Sequence, residues 1–481
     1  MSSTGIAHRL LLSAASLALL SACQTAREQE ATVKPEVAHS YLADKPAELK
    51  RHFFVTLTQG PRNQVLNDMR LGLAAVEMGN DKLAEQLLDE ALGNIETIYV
   101  NNESAAKARE LFTKELIKDF KGEPYERAMA YYYRGLLYLK AGDYDNARAS
   151  FKGGFIQDSF ADEEQNQADF GLMPFLQGWA SRCRGNSVTA DEDFKEFKGI
   201  KPDFPLPDAK DNTLVLIETG SAPVKYSATD PDSAKPRYLK YRRASATETA
   251  RIRFTDLVDA PQPVKKGAKA APPPPKAVDR TVEPRLLEDV FYQASTRGGR
   301  EFDSVLAGKA QFKQGANVVG NVAMTGAMVA AAVAMNSNNR GNQRDSAAAA
   351  GILLLMAVAA KAAAEAAEPD ADVRYWDNLP DRVHAVTLPL PASVNSLSVD
   401  FMASDGTVLR TREASVTRAG PCAISWVRGE SAIPANPRAP ASTNSAGMFA
   451  PVVIPPLPAP APAPAPEAKP AAEAASDQPK S

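Results

Sequence analysis

The sequence predicts a mainly α chain: an irregular helical solenoid, followed by a mixed α/β region that carries an apolar helical hairpin. Three observations predict it. In Tyr125 to Phe155, the residues Ala128, Tyr131, Gly135 and Tyr138 share one helix face, and Ala147, Phe151 and Phe155 continue it after a break at Gly142-Asp143. Poorer copies of this helix–turn–helix pattern stand on either side, one carrying Leu71, Gly72, Gly79, Ala84, Leu88 and Ala91, the other Gly178, Gly185, Ala190, Phe194 and Pro202. Beyond Asp203 the helical period gives way to short alternating runs such as TLVLIE at Thr213 to Glu218.

The central unit resembles a tetratricopeptide repeat, a helix–turn–helix of about 34 residues. Small Gly135 and Ala147 let the two helices approach, large Tyr131, Tyr138 and Phe151 fill the space between units, and Gly142 closes the turn. Arg134 and Ser159 depart from the pattern, standing where Leu and Pro are usual. The spacings between Gly72, Gly135 and Gly178 exceed the repeat length, so the array carries insertions, among them an added amphipathic helix at about Ser104 to Asp119. Three units are about the minimum for a stable solenoid.

The start of the chain reads as an address. Arg9, the apolar run Leu10 to Leu20 and the sequence Leu20-Ser21-Ala22-Cys23 have the order of a cleaved export signal. Small residues ahead of a Cys resemble the lipobox of bacterial lipoproteins. That resemblance implies lipidation of Cys23 and, with Gln24 rather than Asp following, an outer-membrane anchor facing the periplasm. The organisation is then a signal peptide over 1–22, a polar tether over 23–49, the helical domain over 50–205, a mixed α/β domain over 206–430 and a Pro/Ala-rich tail over 431–481.

Within the α/β region, Tyr238 to Tyr241, Arg251 to Phe254, Val383 to Leu388, Ser396 to Phe401 and Thr407 to Arg410 read as strands, with Ser404-Asp405-Gly406 as a hairpin turn. Val282 to Lys313 reads as largely helical. The apolar hairpin, 314–366, has two uncharged arms rich in Gly and Ala joined by a polar loop. Its second arm is shorter than the roughly 20 residues a membrane span needs, which favours burial in the domain over a lipid-facing, partner-facing or spanning placement. The tail ends in alternating Pro and Ala that bury no core.

Composition narrows the function. The net charge is −3 with both signs interspersed, which offers no nucleic-acid surface. The four histidines, at 8, 39, 52 and 384, have no metal-ligand spacing, and the sequence implies no cofactor. No nucleophile elbow, phosphate loop or facing carboxylate pair is present, so no enzyme is expected. With Cys23 lipidated, Cys183 and Cys422 remain, either as a disulfide suited to an oxidising compartment or as two separate buried thiols.

The segments GEPYERAMAYYYRGLLYLKAGDYDNARASF, LVLIETGSAPVKY and YWDNLPDRV together are similar to a family of bacterial tetratricopeptide outer-membrane lipoproteins. The resemblance implies architecture and compartment and supplies no catalytic residues. It points to a lipid-anchored periplasmic scaffold that grips an envelope protein on a concave helical face. Arg127, Tyr132, Tyr133 and Arg134 are the candidate contacts there. A cell-wall assembly or tethering factor and an accessory subunit of a secretion or transport machine are the alternatives.

Overall fold

Two short helices, α1 (Pro35–Leu42) and α2 (Lys50–Gln59), lead into three antiparallel helical hairpins. These pair α3 (Gln64–Glu77) with α4 (Asp81–Val100), α5 (Pro124–Ala141) with α6 (Tyr144–Asp158), and α7 (Leu172–Cys183) with α8 (Ser187–Ile200). One glycine sets each crossing. A Cβ at Gly72 would lie 2.9 Å from Leu88, at Gly135 2.3 Å from Phe151, and at Gly178 2.6 Å from Phe194, so only a hydrogen lets the helices close to this distance. Each hairpin turns at a left-handed glycine, Gly79, Gly142 or Gly185. The central helix α5 starts at a capping box between Glu123 and Glu126 with Pro124 at its first position.

The computed structural model describes residues 31–100, 119–158, 169–228, 238–258, 276–297, 372–433 and 452–458. The signal peptide, Cys23, the apolar hairpin of 314–366 and all but the last residue of the added helix lie outside the described residues. None of the helices among the described residues is long and apolar enough to cross a membrane.

The second half is β1 (Thr213–Thr219), β2 (Val224–Ala228), β3 (Tyr238–Arg242), β4 (Glu248–Val258), β5 (Lys276–Val282), β6 (Arg285–Asp289), α9 (Val290–Arg297), β7 (Arg382–Leu388), β8 (Ser396–Ala403), β9 (Val408–Ala419) and β10 (Cys422–Arg428). Eight of these strands form one curled mixed sheet in the order β5-β4-β8-β9-β10-β1-β7-β6, while β2 and β3 make a separate ribbon. The wholly buried β1 lies parallel to β10 and antiparallel to β7. Alternation along β1 splits the core. Leu214 and Leu216 face the helices with Ile424, Val383 and Ala385, whereas Val215 and Ile217 pack inside the curl with Ile252, Leu397, Val399 and Phe401.

The mainly α expectation is therefore corrected: of the described residues 44% are helix and 25% strand, arranged as α+β. Two strands were hidden by their composition. β5 is a charged, exposed edge strand without an apolar face. β6 carries the Leu-Leu-Glu-Asp run that reads as helix, yet it pairs with β7 and only Val290–Arg297 winds up. A short apolar run between a helix and a strand takes the state its neighbour's hydrogen bonds offer. The boundary near residue 205 also fails to separate two cores. One hydrophobic cluster runs from Tyr133 and Trp179 through Leu216, Ile424 and Trp376. The expected tether contributes too: Ala38, Leu42 and Leu49 are buried in a third cluster around α1, α2 and the start of the first hairpin.

Candidate functional site

The face that the repeats turn toward the sheet is occupied by the chain itself. Residues 372–381 cross it, extended as far as Trp376 and then turning, and are held by the N-terminal parts of the array. Arg70 of α3 makes paired hydrogen bonds of 2.7 Å to both carboxylate oxygens of Asp377. Asn378 Nδ2 donates to the Arg70 carbonyl at 3.0 Å, and the Trp376 backbone N–H donates to Glu126 Oε1 at 2.6 Å. Arg374 reaches Asn63 Oδ1 at 2.7 Å and pairs with Asp372. Burial pushes the Asp372 carboxyl up, but the Arg374 guanidinium outweighs it and holds the group below the usual range.

The candidate contact residues lie inside this assembly. Tyr132 and Tyr133 are fully buried, with their rings 4.8 Å apart. Tyr133 packs edge-on against Trp376 at 5.7 Å and Trp426 at 6.4 Å, and its hydroxyl donates to Glu218 Oε2 at 3.0 Å. Arg127 is buried and donates to Gln157 and to the Gly122 carbonyl. Arg134 bridges hairpins instead: it pairs with Asp89 at 2.7 Å and Glu85 at 3.2 Å on α4, and stacks on the Tyr138 ring. The departure of Arg134 from the repeat pattern is thus an inter-repeat ion pair. All four residues hold the array together, and none forms an open groove wall.

Cys183, the last residue of α7, is joined to Cys422, the first residue of β10, in a disulfide. It fastens the helical array to the sheet beside the Tyr144 hydroxyl, which donates to the Ala419 carbonyl. Cys23 is the lipidation candidate that these contacts do not reach, since it lies outside the described residues.

A cleft of about 270 Å³ opens where α3 and α5 meet β9 and β10. Val76, Leu136, Ile424 and Trp426 give it an apolar floor with the buried Arg428 beneath it, and Glu77, Lys140, Arg412 and Glu413 give it a charged rim. The cations lining the cleft differ in what they are free to do. Lys140 is paired with Asp81 at 2.5 Å, and Arg428 lies 3.3 Å from the buried Glu218. Arg412 is exposed and has no hydrogen-bond or ion-pair partner among the described residues. Trp426 turns its Nε1–H inward to Glu218 Oε1 at 2.9 Å, which fixes the indole as a wall of the cleft. Burial raises the Glu218 carboxyl above its ordinary value despite Arg428 and these donors.

Three other acids, Asp68, Glu126 and Glu288, are each pushed up to about 7, chiefly by burial. None lines the cleft. Glu126 accepts from the Glu123 and Trp376 backbone N–H groups, and Glu288 from the Leu172 N–H and the Gln293 amide. His384 is pushed down to about 4 by burial and then by Arg382, and it hydrogen-bonds the Thr219 hydroxyl at 3.1 Å. Among the described residues no group of three or more His, Cys, Asp or Glu side chains could hold a metal ion.

The sequence reading did not single out Glu218, Trp376, Trp426 or Arg412. Two signals pointed their way: a lone carboxylate ends the apolar run TLVLIE, and the chain has only three tryptophans. Neither signal says that the residues meet. No family model, no curated protein and no solved structure matches the chain.

Proposed function

We propose that the chain is a lipid-anchored envelope adaptor that captures a partner protein at the cleft between its helical repeats and its sheet. The observation that carries this is a cleft with an apolar floor that includes Trp426, lined also by Arg412, an exposed cation whose side chain has no partner among the described residues. A cleft of about 270 Å³ is at or below the small end of small-molecule pockets, roughly 300–1,000 Å³. It suits one or two side chains of a partner. An acidic residue next to an aliphatic or aromatic one matches the lining, with its carboxylate on a rim cation and its apolar neighbour against the floor. Glu126 and Glu288 are held by backbone donors, Asp68 accepts from the Gln64 amide, and none of the three lines the cleft, so the site is read as binding without catalysis. Lipidation at Cys23, as the lipobox resemblance implies, would place the cleft in the periplasm.

In-cell crosslinking with mass spectrometry tests the proposal, comparing wild type with Arg412→Glu. The Arg412 side chain is exposed and makes no hydrogen bond or ion pair among the described residues, so the variant is expected to accumulate normally. Envelope proteins captured by wild type and lost from Arg412→Glu support the adaptor reading. An identical crosslink set in both chains overturns the cleft as the binding site.

A further inference from the structure

Part of the tail packs back onto the fold. Val452 to Pro458 (VVIPPLP) returns to the N-terminal helices, where Val452 is 5% exposed within the cluster formed by Ala38, Leu42, Phe53 and Phe54. Ile454 and Ile433 pack against the same cluster. The His39 Nε2–H on α1 donates to the Pro455 carbonyl at 2.9 Å. Val453 and Leu457 point away, 72% and 56% exposed. Val452 and Ile454 thus face the groove while Val453 and the stretch from Pro456 to Pro458 face solvent.

Its composition explains why it fits. Pro455, Pro456 and Pro458 fix their own φ and hold the preceding residues extended, so little chain entropy is lost on docking. Prolines also carry no N–H, so a proline-rich segment needs few hydrogen-bond partners on an apolar face, and His39 satisfies one of its carbonyls. Nearby, Tyr41 and Phe53 lie edge-to-face at 6.3 Å with Lys45 about 5 Å from both rings. An aromatic-lined, mostly apolar groove with one donor is the chemistry by which extended proline-rich peptides are read.

We propose that the groove on α1 and α2 is a binding site for proline-rich apolar segments, filled in cis by Val452–Pro458 and open to an equivalent segment of a partner once that strap leaves. Covalent attachment gives the cis segment a high effective concentration, so it acts as a built-in competitor. This site shares no residue with the Arg412 cleft and stands or falls separately from it.

The test uses full-length chain carrying Val452→Asp and Ile454→Asp, which place two charges in the apolar groove and release the strap. A fluorescent synthetic peptide of sequence VVIPPLP is titrated against it. The peptide is expected to bind the released chain at least about tenfold more tightly than wild type. His39→Ala in the released chain weakens that binding, while Arg412→Glu leaves it unchanged. Equal binding to released and wild-type chains, or indifference to His39→Ala, overturns the proposal. Should the released chain fail to fold, wild type is challenged with millimolar peptide bearing a photoreactive group at its second position. Crosslinks on α1 and α2 then support the site, and crosslinks confined to other regions overturn it.

Discussion

Glu218 is a fully buried carboxylate at the end of β1, contacted by Tyr133 from α5 and by Trp426 and Arg428 from β10. It is therefore a bolt between array and sheet. Glu218→Leu strands the Arg428 guanidinium in the core, and removing one partner of such a pair costs about 3–5 kcal/mol. The expected result is a large drop in urea midpoint, partly restored by adding Arg428→Met. A wild-type midpoint for Glu218→Leu would mean that the pair carries no stability. Glu126 makes a different prediction. Its carboxyl, ordinarily near 4.5, is raised to about 7, mainly by burial. Between those values the native chain holds a proton that the unfolded chain has lost, so stability falls as pH rises through this window and levels off above it. Glu288 adds the same sign over the same range. Denaturant midpoints from pH 4.5 to 8 should show the decline, and Glu126→Gln should make it shallower, leaving the share of the other raised acids. A midpoint that rises across the window would contradict the assignment.

Each helical hairpin depends on its crossing glycine, and substitution distinguishes crossing from exposed positions. In Gly135→Ala or Gly178→Ala the new methyl meets Phe151 or Phe194 at under 3 Å. Overpacking of this kind costs about 1–3 kcal/mol. Gly93, inside α4, has nothing within 4 Å of its missing Cβ, so Gly93→Ala should stabilise by about 0.4–1 kcal/mol through the unfolded chain. Thermal melts of the three variants read both signs, and a Gly135→Ala chain as stable as wild type would refute the close crossing. These hairpins were legible in the sequence because spacing of small and large residues is local information, visible at Gly72 and Leu88, Gly135 and Phe151, Gly178 and Phe194. The sheet was legible only in part. β1, β7 and β8 show apolar runs or alternation, but β5 is paired on one side and exposed, and β6 forms only because β7 is there to receive it. The candidate contacts failed for a related reason. Periodicity puts Tyr132 and Tyr133 on a face, but it does not say that residues 372–381 and β10 cover that face.

Array and sheet share one hydrophobic cluster, a bidentate Arg70–Asp377 pair, the Glu218 contacts and the Cys183–Cys422 bond. Separate domains would each bury their own core and meet through a modest, more polar contact. Here Trp376 and Trp426 are set against Tyr133 of the central repeat. Losing the sheet would expose the array's most apolar face, so neither half has a stable partner state of its own. The chain should therefore unfold in one transition, with far-ultraviolet circular dichroism, reporting helix, and tryptophan fluorescence, reporting the junction, giving the same midpoint. Reducing the disulfide, or replacing both cysteines by Ser, should lower that midpoint by the roughly 2–5 kcal/mol typical of a native bridge. It should leave the two probes coincident, because the shared core and not the bridge makes the halves cooperative. If the probes separate after reduction, the bridge is what couples array to sheet and the packing between them is only contact. If they separate already in the oxidised chain, the single-core description of the molecule is wrong.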